Sequence, residues 1–142
     1  MEISLVGAAV LVGVLVVATA VGLVLQRRNG RVRTVGTAAH GWDLAWISPE
    51  PDDRVLLLQL SSPICTPCAR TRDQLEALAA EHPDLRHVEI DVADRPDVAK
   101  ALQVLRTPTT VAFDRAGTEL LRVGGVPRRA DLVAALPLEE SC

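Results

Sequence analysis

Two cysteines at C-x-x-C spacing, Cys65 and Cys68, lie where a predicted strand gives way to a predicted helix. Residues 55–60 (VLLLQL) have the length and composition of a strand, and apolar residues at helical spacing follow Cys68. The unpaired N–H groups of a helix N-terminus carry partial positive charge, which stabilises a thiolate. We therefore expect Cys65 to have a pKa below the free value of about 8.5 and to attack disulfides, with Cys68 as the resolving thiol. Pro67 fits here because a first-turn N–H has no helical partner.

Half of a structural zinc site is the alternative interpretation of a C-x-x-C. Zinc needs four ligands, usually from a second C-x-x-C or from closely spaced histidines. The remaining candidates in this chain are scattered: His40, His82, His87 and Cys142. The sequence therefore predicts dithiol–disulfide chemistry with no metal and no other cofactor. Cys142 is interpreted as incidental, with an intermolecular disulfide as the alternative.

A second motif, residues 106–109 (RTPT), follows roughly forty residues later, between a predicted helix and a predicted strand. Together, C-T-P-C and R-T-P-T resemble the thioredoxin family over residues 54–136. The resemblance implies a thiol–disulfide oxidoreductase that acts on disulfide-containing proteins and receives electrons from an upstream reductase. It also implies that Pro108 is cis and faces the dithiol, and that Thr107 pairs by its backbone with an extended substrate. Thr66 and Pro67 are the other expected substrate-binding residues.

One position departs from the family in a way that bears on proton transfer. Thioredoxins carry a buried aspartate on the strand before the motif, which helps to move the proton of the resolving thiol; the matching residue here is Gln59, which cannot titrate. Water or a carboxylate such as Asp91 is the alternative proton acceptor, and His87 is a titratable neighbour. Ser61 and Ile64 replace the tryptophans that flank the family motif. These departures concern rate and choice of partner rather than the exchange chemistry.

Hydrophobic periodicity along the rest of the chain predicts the element order βαβαββα. The predicted elements after the Cys65 helix are a strand at 86–92, a helix at 94–105, strands at 110–113 and 119–123, and a helix at 129–136. Asp94 is expected to be the N-cap of the second helix. With the resemblance, this order implies an α/β, thioredoxin-like fold with a mixed four-stranded sheet and flanking helices. Any extra N-terminal strand is expected from around Trp42.

Residues 3–25 contain no charged side chain and predict a transmembrane helix. At 1.5 Å per residue this run spans roughly 34 Å, enough for a hydrocarbon core of about 30 Å. A cleaved signal peptide is the alternative, since residues 18–20 (ATA) resemble a cleavage site. However, the apolar run continues to Leu25 and no basic residue precedes it, so an uncleaved anchor is favoured. The expected organisation is an anchor at 1–26, a linker at 27–53 and a thioredoxin-like domain at 54–142.

Charge gives the expected orientation and excludes one class of partner. Four arginines follow the apolar run, and basic flanks stay on the cytoplasmic side. The formal net charge of −3 and the pI near 5.6 argue against nucleic-acid binding.

The sequence allows two placements for Trp42 and Trp46. They pack against the edge of the domain, or they lie at the membrane interface.

The sequence thus predicts a membrane-tethered thiol–disulfide oxidoreductase that works as a reductant on the cytoplasmic face. Two alternatives remain open. The same enzyme could face outward and serve secreted proteins or cytochrome assembly, or the domain could be a non-enzymatic docking or redox-sensing module of a membrane complex.

Overall fold

The computed structural model describes residues 2–28, 32–34 and 40–138. Its elements, in chain order, are α1 (Glu2–Arg28), β1 (Val32–Thr34), α2 (Gly41–Leu44), β2 (Val55–Ser61), α3 (Thr66–Glu81), β3 (Leu85–Asp91), α4 (Pro96–Ala101), β4 (Thr109–Asp114), β5 (Glu119–Gly124) and α5 (Arg129–Ala135). From β2 to α5 the order is βαβαββα, which confirms the order predicted from periodicity.

The strands form one mixed sheet in the order β1-β5-β4-β2-β3. β2 and β3 are parallel, whereas the other neighbouring strands are antiparallel. The predicted four strands are β2 to β5, and β1 extends the sheet beside β5, with Val32 opposite Val123. All seven residues of β2 are buried, as expected for an apolar strand that is covered on both faces.

Alternation along β2 divides the core into two layers. Val55 and Leu57 pack with Leu75 of α3 and Leu132 of α5. The intervening leucines pack on the opposite face, with α2 and α4: Leu56, Leu58 and Leu60, against Trp42 and Val98. Because successive side chains of a strand alternate, Gln59 belongs to the layer beneath α3.

The segment 27–53, expected to be a linker, contributes to the domain. Its residues 32–34 pair with β5, and the Trp42 side chain is buried in the core, where the indole Nε1 donates to the Asp114 carbonyl at 2.8 Å. The expectation of an extra strand around Trp42 was wrong, because that residue lies in the short helix α2 and the added strand is β1. The domain boundaries themselves stay predictions.

Two further expectations have different outcomes. Asp94 was expected to cap α4, but Arg95 occupies the N-cap and Pro96 begins the helix, as its missing N–H allows. Trp46 is 74% exposed, and the guanidinium of Arg95 stacks 3.3 Å from its ring centroid. Of the two tryptophans, only Trp42 therefore packs into the core. Cys142 lies outside the described residues.

The side chains that are described in the N-terminal helix α1 form no buried face. Every side chain described between Val6 and Arg27 is exposed, and this segment is long and apolar enough to cross a membrane. A signal sequence near an N-terminus has the same properties. The segment is therefore a candidate membrane span, defined by length and composition.

Candidate active site

The dithiol motif lies at the junction of β2 and α3. Cys65 and Cys68 form a disulfide, with Cα atoms 5.4 Å apart. Cys65 is the N-cap of α3 and Pro67 lies in its first turn, as the sequence predicted. Cys68 is buried at 3% exposure, whereas Cys65 is half-buried. Only the first cysteine is therefore accessible to a partner protein.

The loop before β4 completes the mouth of the site. The Thr107–Pro108 peptide bond is cis, as the resemblance implied. The Thr107 and Ser62 hydroxyls hydrogen-bond at 3.1 Å, which ties this loop to the end of β2. On its other side, the Pro108 carbonyl accepts a hydrogen bond from Gly125 at 2.7 Å. The predicted substrate-binding loop is thus fixed between the C-x-x-C segment and the end of β5.

Two apolar side chains beside these motifs are almost fully exposed. Ile64 immediately precedes Cys65 and is 94% exposed, and Leu105 precedes the cis-proline loop and is 97% exposed. Thr66 and Pro67, the other predicted substrate-binding residues, are exposed as well. These side chains offer apolar contact area beside the two motifs.

Gln59 lies beneath the first turn of α3 and is fully buried. Its Nε2 donates to the Cys68 carbonyl at 3.0 Å and lies 3.3 Å from Glu89 Oε1, which accepts a second hydrogen bond. His87 Nε2 lies 3.1 Å from Gln59 Oε1. Since the amide oxygen can only accept, His87 carries its hydrogen on Nε2 in this arrangement.

The two ionisable neighbours of Gln59, Glu89 and His87, differ in their charge near neutral pH. The Arg72 guanidinium forms a two-point hydrogen-bonded ion pair with Glu89 and holds the pKa of that carboxyl below its ordinary value. Burial lowers the pKa of His87. Near neutral pH, Gln59 therefore lies between an ionised carboxylate and an uncharged imidazole.

Of the two side chains proposed as alternatives for proton transfer, one contacts Gln59 and the other has a different partner. His87 contacts Gln59, but Asp91 instead accepts a hydrogen bond from the Ala93 N–H at 2.8 Å in the loop after β3. The contact of Gln59 with Glu89 was not predicted from the sequence. The alternation of β3 puts Glu89 on the face of His87, but its position opposite Gln59 depends on the strand register.

Comparison with known proteins decides the family. The family model described as Thioredoxin matches residues 45–137, more than half of the chain. The chain belongs to the thioredoxin family. Thioredoxin H2 of Arabidopsis thaliana is 31% identical over 111 residues, which cover 78% of this chain and 80% of the plant protein.

Solved thioredoxin structures agree with this assignment. A mutant thioredoxin from Halobacterium salinarum is similar with a TM-score of 0.56 at 27% identity, over 64% of this chain and 80% of the other. Oxidised mitochondrial thioredoxin 3 from Saccharomyces cerevisiae gives a TM-score of 0.52 at 28% identity, over 58% and 77%. With its Cys65–Cys68 pair, this thioredoxin-family chain is a thiol–disulfide oxidoreductase.

Proposed function

We propose that the protein is a membrane-tethered reductant of protein disulfides, working on the cytoplasmic face and re-reduced by an upstream reductase. The observation that carries the proposal is the exposed apolar helix α1 on a chain with a thioredoxin-family dithiol. A helix with no buried face is stable in lipid, where its backbone groups are paired internally. The cytoplasm keeps thiols reduced, so a dithiol there works in the reducing direction.

The proposed roles of the cysteines follow from their accessibility. The Cys65 thiolate attacks a substrate disulfide, and one substrate sulfur leaves as a thiol after taking a proton. The mixed disulfide on Cys65 is then attacked by the Cys68 thiolate, which releases the second substrate thiol and forms the disulfide seen here. Cys65 acts first because it is half-buried at the helix N-terminus, whereas Cys68 is enclosed.

Substrate binding is proposed for the residues around the accessible thiol. An extended substrate segment pairs with the backbone of Thr107 beside cis Pro108, while Thr66 and Pro67 contact it from the helix. Ile64 and Leu105 supply apolar contact area on either side. We place Gln59 at the position that governs proton transfer from Cys68, because it hydrogen-bonds to the Cys68 carbonyl.

The cytoplasmic orientation is proposed from the charges that flank α1. Arg27, Arg28, Arg31 and Arg33 follow the apolar run, and only Glu2 is charged before it. Moving several arginines across the bilayer is costly, so the side of the span that carries them is proposed to stay in the cytoplasm.

Thiol labelling in intact cells tests tether and orientation together. The full chain, carrying Cys142→Ser so that one accessible thiol remains, is treated with a permeant reductant and then with a membrane-impermeant maleimide. We expect Cys65 to react only after permeabilisation. As the matched control, Glu2→Cys in a chain without the other cysteines is expected to react in intact cells. Labelling of Cys65, but not of the cysteine at position 2, in intact cells would place the enzyme on the outer face. Recovery of the protein outside the membrane and without residues 1–20 would show that the apolar segment is a cleaved signal peptide.

The reducing role is tested separately with purified protein. We expect NADPH oxidation through a thioredoxin reductase when the chain and a disulfide-containing protein are both present. A chain that forms disulfides in reduced substrates but is not itself reduced by the reductase would contradict the proposed direction.

A further inference from the structure

One buried hydroxyl of β4 has no hydrogen-bond partner among the residues that the structure describes. Thr110 is fully buried, and its Oγ1 makes no hydrogen bond within the described residues. The other buried threonines are satisfied: Thr71 Oγ1 donates to the Pro67 carbonyl at 3.1 Å, and Thr109 Oγ1 donates to the Arg106 carbonyl at 2.7 Å. Buried hydroxyls without partners are rare in native proteins, so this one needs a ligand of its own.

The strand register places Thr110 beside Gln59, the residue that contacts the resolving cysteine. Thr110 is directly opposite Gln59 in the pairing of β2 with β4, so the two side chains share a face of the sheet. Gln59 reaches from that face to the Cys68 carbonyl in the first turn of α3. Thr110 also lies two residues after cis Pro108 at the mouth of the site. The unpartnered hydroxyl therefore lies on the same face of the sheet as Gln59, the face on which Gln59 contacts Cys68.

The redox state of the dithiol changes the hydrogen bonds that the Cys68 sulfur can offer to this hydroxyl. In the oxidised form both sulfurs belong to the disulfide, so Cys68 has no S–H to donate and no thiolate to accept. Reduction creates both possibilities, because a thiol is a weak donor and a thiolate accepts hydrogen bonds. A hydroxyl can rotate to accept from the first or to donate to the second.

We propose that Thr110 is the hydrogen-bond partner of the Cys68 sulfur in the reduced enzyme and in the mixed disulfide, directly or through one buried water. When Cys68 loses its proton to solvent, the Thr110 O–H donates to the thiolate. That thiolate bonds to the Cys65 sulfur, the bond to the substrate sulfur breaks, and the substrate sulfur leaves with the electron pair and takes a proton from water. The Thr110 hydroxyl thus stabilises the negative charge of the buried Cys68 thiolate. Without it, the Gln59 amide would be the polar side chain left beside that charge.

The ionisable side chains near Gln59 already have partners, so we expect the neutral Thr110 hydroxyl to stabilise the Cys68 thiolate. Glu89 is already paired with Arg72 of α3, and His87 is hydrogen-bonded to Gln59. Asp73 and Glu76 lie on the exposed part of α3, near Arg72. The inference rests on the roles proposed above for Cys65 and Cys68.

The test separates the two chemical steps in the full chain by stopped-flow kinetics with a disulfide substrate across pH. We expect Thr110→Val to leave the first attack by Cys65 unchanged, to slow resolution by about tenfold, and to move the rise of the resolution rate to higher pH. Thr110→Ser keeps the hydroxyl and is expected to restore the rate and pH profile. Thr71→Val is the matched control, because it removes a buried hydroxyl that is satisfied within its own helix.

Resolution by Thr110→Val at the parent rate and pH profile would overturn the proposal, as would an equal loss in Thr110→Ser, which would make the effect one of packing. If Thr110→Val does not fold, Thr110→Ala removes the same hydroxyl and gives the same comparison. A parent protein that forms no mixed disulfide would instead contradict the exchange chemistry itself, so the two failures are distinguishable.

Discussion

Replacing Gln59 by aspartate puts a titratable group in contact with Cys68, at a position where this chain has a side-chain amide. The side chain is fully buried and hydrogen-bonds to the Cys68 carbonyl, Glu89 and His87. In Gln59→Asp, burial and the nearby Glu89 carboxylate should raise the pKa of the new carboxyl well above the unperturbed value of about 3.9. The matched control is Gln59→Asn, which has the same length and no charge.

The expected stability effect has a pH-independent part and a pH-dependent part. Both variants lose hydrogen bonds and one methylene, which costs about 2–3 kcal/mol. If the folded-state pKa of Asp is raised to about 7, the additional loss reaches about 4 kcal/mol above that pH, since each unit corresponds to about 1.36 kcal/mol. Because the pKa is raised on folding, this loss is absent below about pH 4, grows as pH increases from the unfolded-state pKa to the folded-state pKa, and is constant above it.

In the pH range in which the new carboxylate destabilises the fold, it should also speed the resolution step. Near neutral pH it can accept the Cys68 proton, so we expect Gln59→Asp to resolve the mixed disulfide at least about tenfold faster than Gln59→Asn between roughly pH 6 and 8. Stopped-flow kinetics and chemical denaturation across pH measure both effects. Equal resolution rates for the two variants at every pH would refute the reasoning and make Gln59 a packing residue.

Two other predictions concern stability. Gly41→Ala should lower the free energy of unfolding by about 2–3 kcal/mol in chemical denaturation, because an added Cβ would lie 2.1 Å from a ring carbon of Phe113; Gly13→Ala, with no atom within 4 Å, should have no such effect. Burial lowers the pKa of His87 from 6.5, so the unfolded chain takes up that proton first and stability should fall as pH decreases from about 6.5 toward the folded-state value. His87→Gln should reduce this fall, measured by denaturation at several pH values, whereas the same change at exposed His40 should retain it; an equal fall in the parent and His87→Gln would contradict the assignment.

The elements that position the disulfide were predictable because their signals are local. The apolar run of β2, the helical spacing after Cys68 and the alternation of β3 each lie within one segment of chain. Features of this kind depend on neighbours in the sequence, so periodicity is enough to find them. The cis bond before Pro108 was instead implied by the resemblance of the two motifs to the thioredoxin family.

The features that were missed depend on pairing between distant segments. β1 is three residues long and has no periodicity to detect, since its place is set by hydrogen bonding to β5. The contact of Glu89 with Gln59 depends on the register of two parallel strands. The isolation of the Thr110 hydroxyl depends on everything packed around it, which no local pattern records.

Trapping of the mixed disulfide tests the central claim, that Cys65 attacks and Cys68 resolves, most directly. In a Cys142→Ser background, reduced Cys68→Ser is mixed with a disulfide-containing protein, and the adduct is located by mass spectrometry. We expect a stable mixed disulfide at Cys65 in this variant, and none in the matched variant Cys65→Ser, where the remaining thiol is enclosed. A stable adduct on Cys68 in Cys65→Ser, with no adduct in Cys68→Ser, would contradict the account.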